Sequence, residues 1–238
     1  MPKRYIPVKE RWQHYHEASI LAFVGGWVNT VGFIALFGIY TNHVTGYIVT
    51  AGKETILGGL GVWALFLGSF ILTIGITAWC EQRWKQRYPN ILLAFLITET
   101  LLLTLFMLAG IFFSPFESLV DTGAIITAML GISAMGIRNA VIRTLLSSMA
   151  TSTLMTGNIA QLTIDTVIAY GSTTSSSETK DSARQNILKI LPSVLSFAFG
   201  ALLGALAYIM FSFICIIVPI LLMTYLCYRE SDFGFSQA

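Results

Sequence analysis

The feature that most constrains this sequence is a series of apolar runs, each long enough to cross a lipid bilayer. A membrane-spanning helix needs about 20 mostly apolar residues, rising about 1.5 Å per residue. Six segments meet that length: Ala18 to Gly38, Leu60 to Cys80, Ile91 to Phe113, Thr122 to Val141, Ile187 to Tyr208 and Met210 to Tyr228. Charge supports the same reading. Only 11% of the residues are charged and 55% are hydrophobic, whereas a soluble chain carries about 25% charge to solvate its outer surface. The surface of this chain must therefore face hydrocarbon. The implied fold class is all-α, a single polytopic membrane helix bundle over residues 1–238 with the lipid bilayer as its solvent.

Two further stretches are apolar but interrupted. Tyr40 to Gly59 contains Asn42, His43, Lys53, Glu54 and several glycines, and Thr144 to Tyr170 carries Ser, Thr, Asn158 and Asp165. The placement of Lys and Arg orients the chain, because cytoplasmic loops carry the positive excess. With the N-terminus inside, that side receives Lys3, Arg4, Lys9, Arg11, Arg83, Lys85, Arg87, Lys180, Arg184, Lys189 and Arg229. Arg143 falls at the inner end of the fourth span, and the opposite side holds Lys53, Glu54, Glu117 and Asp121. Both termini are thus expected in the cytoplasm. Making either interrupted stretch a full span disturbs this asymmetry, so both are read as re-entrant or broken helices. An eight-span arrangement, in which both cross, keeps the termini inside as well. The polar run Gly171 to Lys180 opens a cytoplasmic loop expected over about 171–186. The start, Met1 to Glu17, lacks the apolar core of a secretory signal.

The chain also repeats itself. Gly26-Trp27-Val28-Asn29-Thr30-Val31 matches Gly136-Ile137-Arg138-Asn139-Ala140-Val141 at an offset of 110 residues. His43-Val44-Thr45-Gly46-Tyr47 matches Leu154-Met155-Thr156-Gly157-Asn158 at an offset of 111. A third match pairs Phe66-Leu67-Gly68 with Ala198-Phe199-Gly200. The halves, about 18–113 and about 122–228, hold three spans each. An odd number of spans inverts the second half relative to the first. That 3+3 inverted repeat is a plan of secondary transporters, whose sites lie near the midplane between broken helices. Thr-Gly suits such a break, since glycine permits the turn and a Thr hydroxyl can cap the freed helix end.

These motifs, "MGIRNAVIR" and "MATSTLMTGN" with their first-half counterparts, resemble the YoaK-like family of bacterial inner-membrane proteins, which is of unknown function. The resemblance runs from about Ala18 to Tyr228. It implies a multi-pass protein of the bacterial inner (plasma) membrane. The first half departs from the family pattern: Asn29 stands where Asp is usual, and Tyr47 where Asn is usual.

Ionisable groups within spans are expensive and are functional candidates by default. Glu99 lies nine residues into the third span, about 13 Å deep. Arg138, on the fourth span running the other way, lies at a similar depth, so the two are expected to meet as a structural ion pair or as part of a polar pathway. Asp165, two helical turns beyond Gly157, is either a cavity carboxylate or the water-facing end of its segment. Asn29, Thr45 and Gly46 in the first half, with Asn139, Thr156, Gly157 and Asn158 in the second, are the candidate substrate-binding residues. Asparagine offers both donors and an acceptor, so the Asn pair can bind a solute or join helices. His43 is expected on the outer side as an interfacial residue.

Other chemistry finds less support. His14 and His16 fall short of the three or four ligands a metal site needs, so neither a metal nor another cofactor is expected. Cys80, Cys215 and Cys227 lie in or beside apolar runs, as free thiols do. Catalysis would need Ser147, Ser148, His43 and Asp165 to converge, and no nucleophile-elbow or zinc-protease motif is present, so an enzyme is not expected. No basic patch suits nucleic acid. The Gly200-x-x-x-Gly204 spacing is a helix-packing pattern and leaves a homo-oligomer open. The expected function is a secondary transporter or channel-like permease for a small polar or anionic solute. The alternatives are a non-transporting scaffold or sensor and, behind it, an intramembrane enzyme.

Overall fold

The computed structural model describes residues 15–57, 60–85, 87, 90–146, 155–171 and 176–235. Among these the chain is helical, with no strand. Five stretches are long and apolar enough to cross a membrane: His16–Ala35, Gly61–Trp84, Ile91–Phe113, Thr122–Thr144 and Ser177–Asp232. The surface confirms the solvent. Val49 is 74% and Phe112 81% exposed, while Arg138 and Glu99 are 1% and 2% exposed. Apolar side chains outside and charges inside are what a bilayer selects. The protein is a polytopic helical membrane bundle.

The helices are α1 (Tyr15–Ala35), α2 (Val44–Leu57), α3 (Leu60–Trp84), α4 (Ile91–Phe113), α5 (Thr122–Thr144), α6 (Met155–Thr166), α7 (Ser177–Phe211) and α8 (Ile217–Phe235). The face at which α1 begins is called the near face below. The fifth apolar stretch comprises α7 and α8, broken by a 3-10 turn over Ser212–Ile216. Ser212 adopts a φ of 51°, which ends α7. Phe213 then inserts against Phe106, Phe116 and Tyr208. Gly110 makes room for it, since a Cβ there would lie 2.1 Å from the Phe213 ring. The contacts with α1 fix the reversal. Gly200 faces Phe23 and Gly204 faces Trp27, so α7 runs parallel to α1. Arg229 of α8 pairs with Glu17 at the start of α1, so α8 returns to the near face. The last span therefore starts at Ile217, not at Met210 as the hydropathy of the sequence suggested. The break at Ser212 has no apolarity signal of its own.

α1 and α7 pack closely because glycines remove the side chains between them. A Cβ on Gly26 would meet the Phe197 carbonyl oxygen at 2.1 Å, and one on Gly200 would meet that of Phe23 at the same distance. The Gly200/Gly204 pair thus serves an interface within the chain. α5 packs on α3 and α4, while α4 also packs on α8.

The interrupted stretches form two half-helices. α2, with 14 residues, is about 21 Å long. α6 has 12 residues, and a π-helical turn over Val167–Gly171 extends it. Their described parts are each shorter than the roughly 30 Å of hydrocarbon. After α1 the chain reverses, with φ of 55° at Phe37 and 85° at Gly38. It then descends into the bundle. Thr41, fully buried, fits into spaces left by Gly32 and Gly131. α2 climbs back along α3, and its Thr50 and Lys53 share a cleft with Phe37, Gly38, Leu119 and Val120 at the far face. α6 runs the other way along α7 and ends where the Arg184 guanidinium covers the Tyr170 ring, 5.7 Å from its centroid.

One expected loop is shorter than its composition suggests. Residues 177–186 are helical, because Ser176 caps α7: its Oγ accepts from the Thr179 N–H at 3.2 Å. The polar first turns of α7, from Glu178 to Lys189, extend the helix beyond its apolar part. The N-terminal arm to His14, Gly58-Gly59, Tyr88, Ser147 to Leu154 and Thr174 lie outside the described residues.

Candidate binding cavity

Asn29 sits near the far end of α1 and Asn139 near the near end of α5, and the descending segment between α1 and α2 brings Asn42 between them. The Asn42 backbone N–H donates to Asn29 Oδ1 at 3.1 Å. Asn139 Nδ2 donates to Asn42 Oδ1 at 2.5 Å and to the Met135 carbonyl at 2.8 Å. One loop residue thus joins the two repeat-related asparagines. Beside this bridge lies a cavity of about 480 Å³. Asn29, Asn42, His43, Thr45, Asn139, Arg143, Thr156 and Gly157 form its polar lining, while Val44, Phe70, Ile74, Met155 and Phe197 form its apolar wall. α2 starts here at Val44, so its first-turn N–H groups meet this space, and Met155, Thr156 and Gly157, the first described residues of α6, line it as well.

Five of the seven candidate substrate-binding residues line this cavity: Asn29, Thr45, Asn139, Thr156 and Gly157. Gly46 does not. It packs under the Tyr40 ring, 3.4 Å from where its Cβ would be. Asn158 is buried elsewhere on α6. A Cβ added to Gly157 would meet nothing within 4 Å, so this glycine opens onto free space. The Thr45 hydroxyl does not cap α2: it falls inside the first turn, one residue past the start, and lines the cavity, as Thr156 of α6 does. His43 is not an outer interfacial residue. The descent after Phe37 carries it to the cavity, where its ring lies 5.4 Å from that of Tyr40.

Glu99 and Arg138 form a buried ion pair. Arg138 also donates from Nη1 to the Leu21 carbonyl at 3.0 Å and contacts Met223 Sδ at 3.4 Å. It therefore ties α5 to α4, α1 and α8 and does not line the cavity. Asp165 is neither a cavity carboxylate nor a water-facing one. It is buried on α6, and its Oδ1 accepts from Gln161 Nε2 at 3.0 Å. His16 stacks edge-on against Tyr225 near the near face.

The sequence reading missed Asn42, Arg143, Phe70 and Phe197 as cavity residues. A signal for the phenylalanines exists in the packing. A Cβ on Gly26 meets the Phe197 carbonyl, and a Cβ on Gly136 approaches the Phe70 carbonyl at 3.6 Å. Gly200 lies on Phe23, whereas Gly68 has nothing within 4 Å, so these two expected counterparts are packed differently.

A family model described as "Protein of unknown function (DUF1275)" matches residues 18–228. No curated protein and no solved structure matches the chain.

Proposed function

We propose that this chain, which belongs to the DUF1275 family of proteins of unknown function, is a permease for a small polar or anionic solute. In this reading α1–α4 and α5–α8 are inverted repeats of a bacterial inner-membrane transporter, and access to the cavity alternates between them. The cavity carries the argument: α2 and α6, which run toward opposite faces, both reach one polar space, as in the arrangement of broken-helix transport sites. The repeat is supported by paired contacts, α1 on α7 with α5 on α3, and α2 on α3 with α6 on α7. The YoaK-like resemblance of the same motifs agrees with it. Arg83, Lys85, Arg143, Arg184 and Arg229 all gather toward the near face, which makes that face cytoplasmic by the positive-inside rule. Among the described residues the lining offers amides, hydroxyls, His43 and Arg143, groups suited to binding a polar solute.

The far side is closed in this conformation. Asn42 bridges Asn29 and Asn139, Thr41 is packed between Gly32 and Gly131, and the buried Tyr47 hydroxyl donates to the Tyr40 carbonyl. The test is access. Thr156→Cys, in a chain with Cys80, Cys215 and Cys227 replaced by alanine, is exposed to a membrane-impermeant maleimide on either side of sealed, oriented vesicles. Alternating access requires labelling from both sides. Labelling from one side alone overturns the reading.

A further inference from the structure

The lining of the cavity is of two kinds, polar and apolar, and together they describe the ligand. Among the polar groups, the amides are oriented by the hydrogen bonds they already make. Asn29 Oδ1 accepts from the Asn42 N–H, and Asn42 Oδ1 accepts from Asn139 Nδ2. The oxygen ends of Asn29 and Asn42 are thus engaged, and the NH₂ groups are the ends left for a ligand. Among the described residues neither NH₂ has a protein partner. Arg143 adds a full positive charge and has no ion pair among the described residues. Thr45 and Thr156 add hydroxyls, and the start of the 14-residue α2 adds a positive dipole end. Among the described residues no Asp or Glu lines the space. Donors and positive charge without a counter-charge select an anion, and a single arginine selects one charge.

The apolar part of the lining disfavours the simplest anions. Phe70 and Ile74, one turn apart on α3, line the cavity together with Phe197 of α7 and Val44. A hydrated inorganic oxyanion would have to shed water against these rings without a return. A ligand with a hydrocarbon body gains from the same contact. We propose that the cavity binds a small organic monocarboxylate, its carboxylate held by Arg143 and the Asn29 and Asn42 amides and its apolar body seated against Phe70, Ile74 and Phe197. This rests on the permease reading for its place in a transport cycle, but the binding chemistry stands by itself.

Binding is measured by calorimetry on the purified, detergent-solubilised protein. The probes are the straight-chain carboxylates from acetate to octanoate, benzoate, the corresponding amides as neutral counterparts, and inorganic sulfate, phosphate and chloride. The expected result is a carboxylate that binds about tenfold or more tightly than its amide, with affinity rising with the length of the apolar body until the cavity fills. Arg143→Gln should reduce carboxylate affinity about tenfold and leave amide affinity unchanged, with Arg143→Lys restoring part of the loss. Amides that bind as well as carboxylates, an inorganic anion that binds more tightly than all of them, or no binding across the series overturns the proposal. Uptake into proteoliposomes separates this failure from that of the permease reading. A carboxylate that binds but never crosses sinks transport alone, whereas an uncharged solute that crosses unless Gly157→Trp is present sinks the carboxylate alone.

Discussion

Arg138→Leu provides the sharpest energetic test of the bundle. Arg138 is 1% exposed and its partner Glu99 2%, so the pair is removed from water. Deleting the guanidinium leaves a carboxyl with no counter-charge, which is either ionised at its full desolvation cost or protonated. Protonation limits the damage: moving a carboxyl of ordinary pKa about 4.3 to the neutral form at pH 7 costs about 3.7 kcal/mol, at about 1.36 kcal/mol per unit. The lost hydrogen bond to the Leu21 carbonyl adds about 1 kcal/mol. The single variant should therefore lose about 4–5 kcal/mol of unfolding free energy, in line with breaking other buried pairs from one side. Adding Glu99→Leu removes the stranded carboxyl and should restore most of this. At pH 5 the same protonation costs only about 1 kcal/mol, so the single variant should recover stability as the pH falls. The assay is reversible SDS titration in mixed micelles, read by the reactivity of the buried Cys215 thiol. A double variant no more stable than Arg138→Leu, or a deficit that does not shrink toward pH 5, would refute the reasoning.

The close approach of α1 and α7 makes Gly200→Ala severe, since its Cβ would lie 2.1 Å from the Phe23 carbonyl oxygen, while Gly68→Ala should be silent; size-exclusion profiles after solubilisation compare the two. Asp121 is held below the ordinary carboxylate range by the Ser118 hydroxyl and by the Ser118 and Glu117 N–H groups. A depressed folded pKa contributes stability above the unfolded value of about 3.9, and that contribution disappears as pH drops through the lower folded value. Hydrogen exchange at Glu117 and Ser118, corrected for intrinsic rates, should therefore accelerate below about pH 3.9, and Asp121→Ala should show the fast rate at every pH. For topology, Glu117→Cys should react with an impermeant thiol reagent from outside intact cells and Gln185→Cys only after permeabilisation; the reverse pattern would invert the bundle. Asn42→Ala removes one hydrogen bond of the far-side closure, about 1 kcal/mol, and should raise far-side labelling of Thr156→Cys about fivefold.

The spans were legible because hydrocarbon leaves few choices. Ile91–Phe113 has the bounds that apolarity alone assigned, and the Glu99–Arg138 pair followed from counting depth along two antiparallel helices. The convergence of Asn29 with Asn139 and of Thr45 with Thr156 on one cavity was expected from the like spacing of these residues in the two halves of the sequence. Asn42 was not legible, because it lies where the chain doubles back and the offset of 110 to 111 gives it no counterpart among the described residues. The place of Asp165 was hidden for a similar reason. Helical spacing from Gly157 gives its height along α6 but not which face of α6 packs on α7. Ser212 ends α7 through a backbone angle, and no side-chain pattern announced it.

The two kinds of helix contact divide the bundle into parts that can move and parts that cannot. α1 and α7 interlock through Gly26, Gly200 and Gly204, with backbone against backbone, and Arg138 fastens α5 to α4, α1 and α8 by charge and hydrogen bonds. Sliding either assembly would unpair buried groups or drive carbonyls into each other. The half-helices are held differently. α2 packs on α3 and α6 on α7, each leaving long faces exposed, among them Ile48 and Val49 on α2 and Ile159 and Ile164 on α6. Among the described residues, the segment leading into α2 is tied to the rest by the two hydrogen bonds of the Asn29–Asn42–Asn139 bridge, beside the packing of Thr41 between Gly32 and Gly131. Two such bonds amount to about 1–3 kcal/mol, a balance that ligand binding can tip, whereas the glycine and arginine contacts cannot be exchanged at that scale. In the permease reading proposed above, motion that opens the cavity belongs to α2 and α6, with α1, α5 and α7 as the fixed frame.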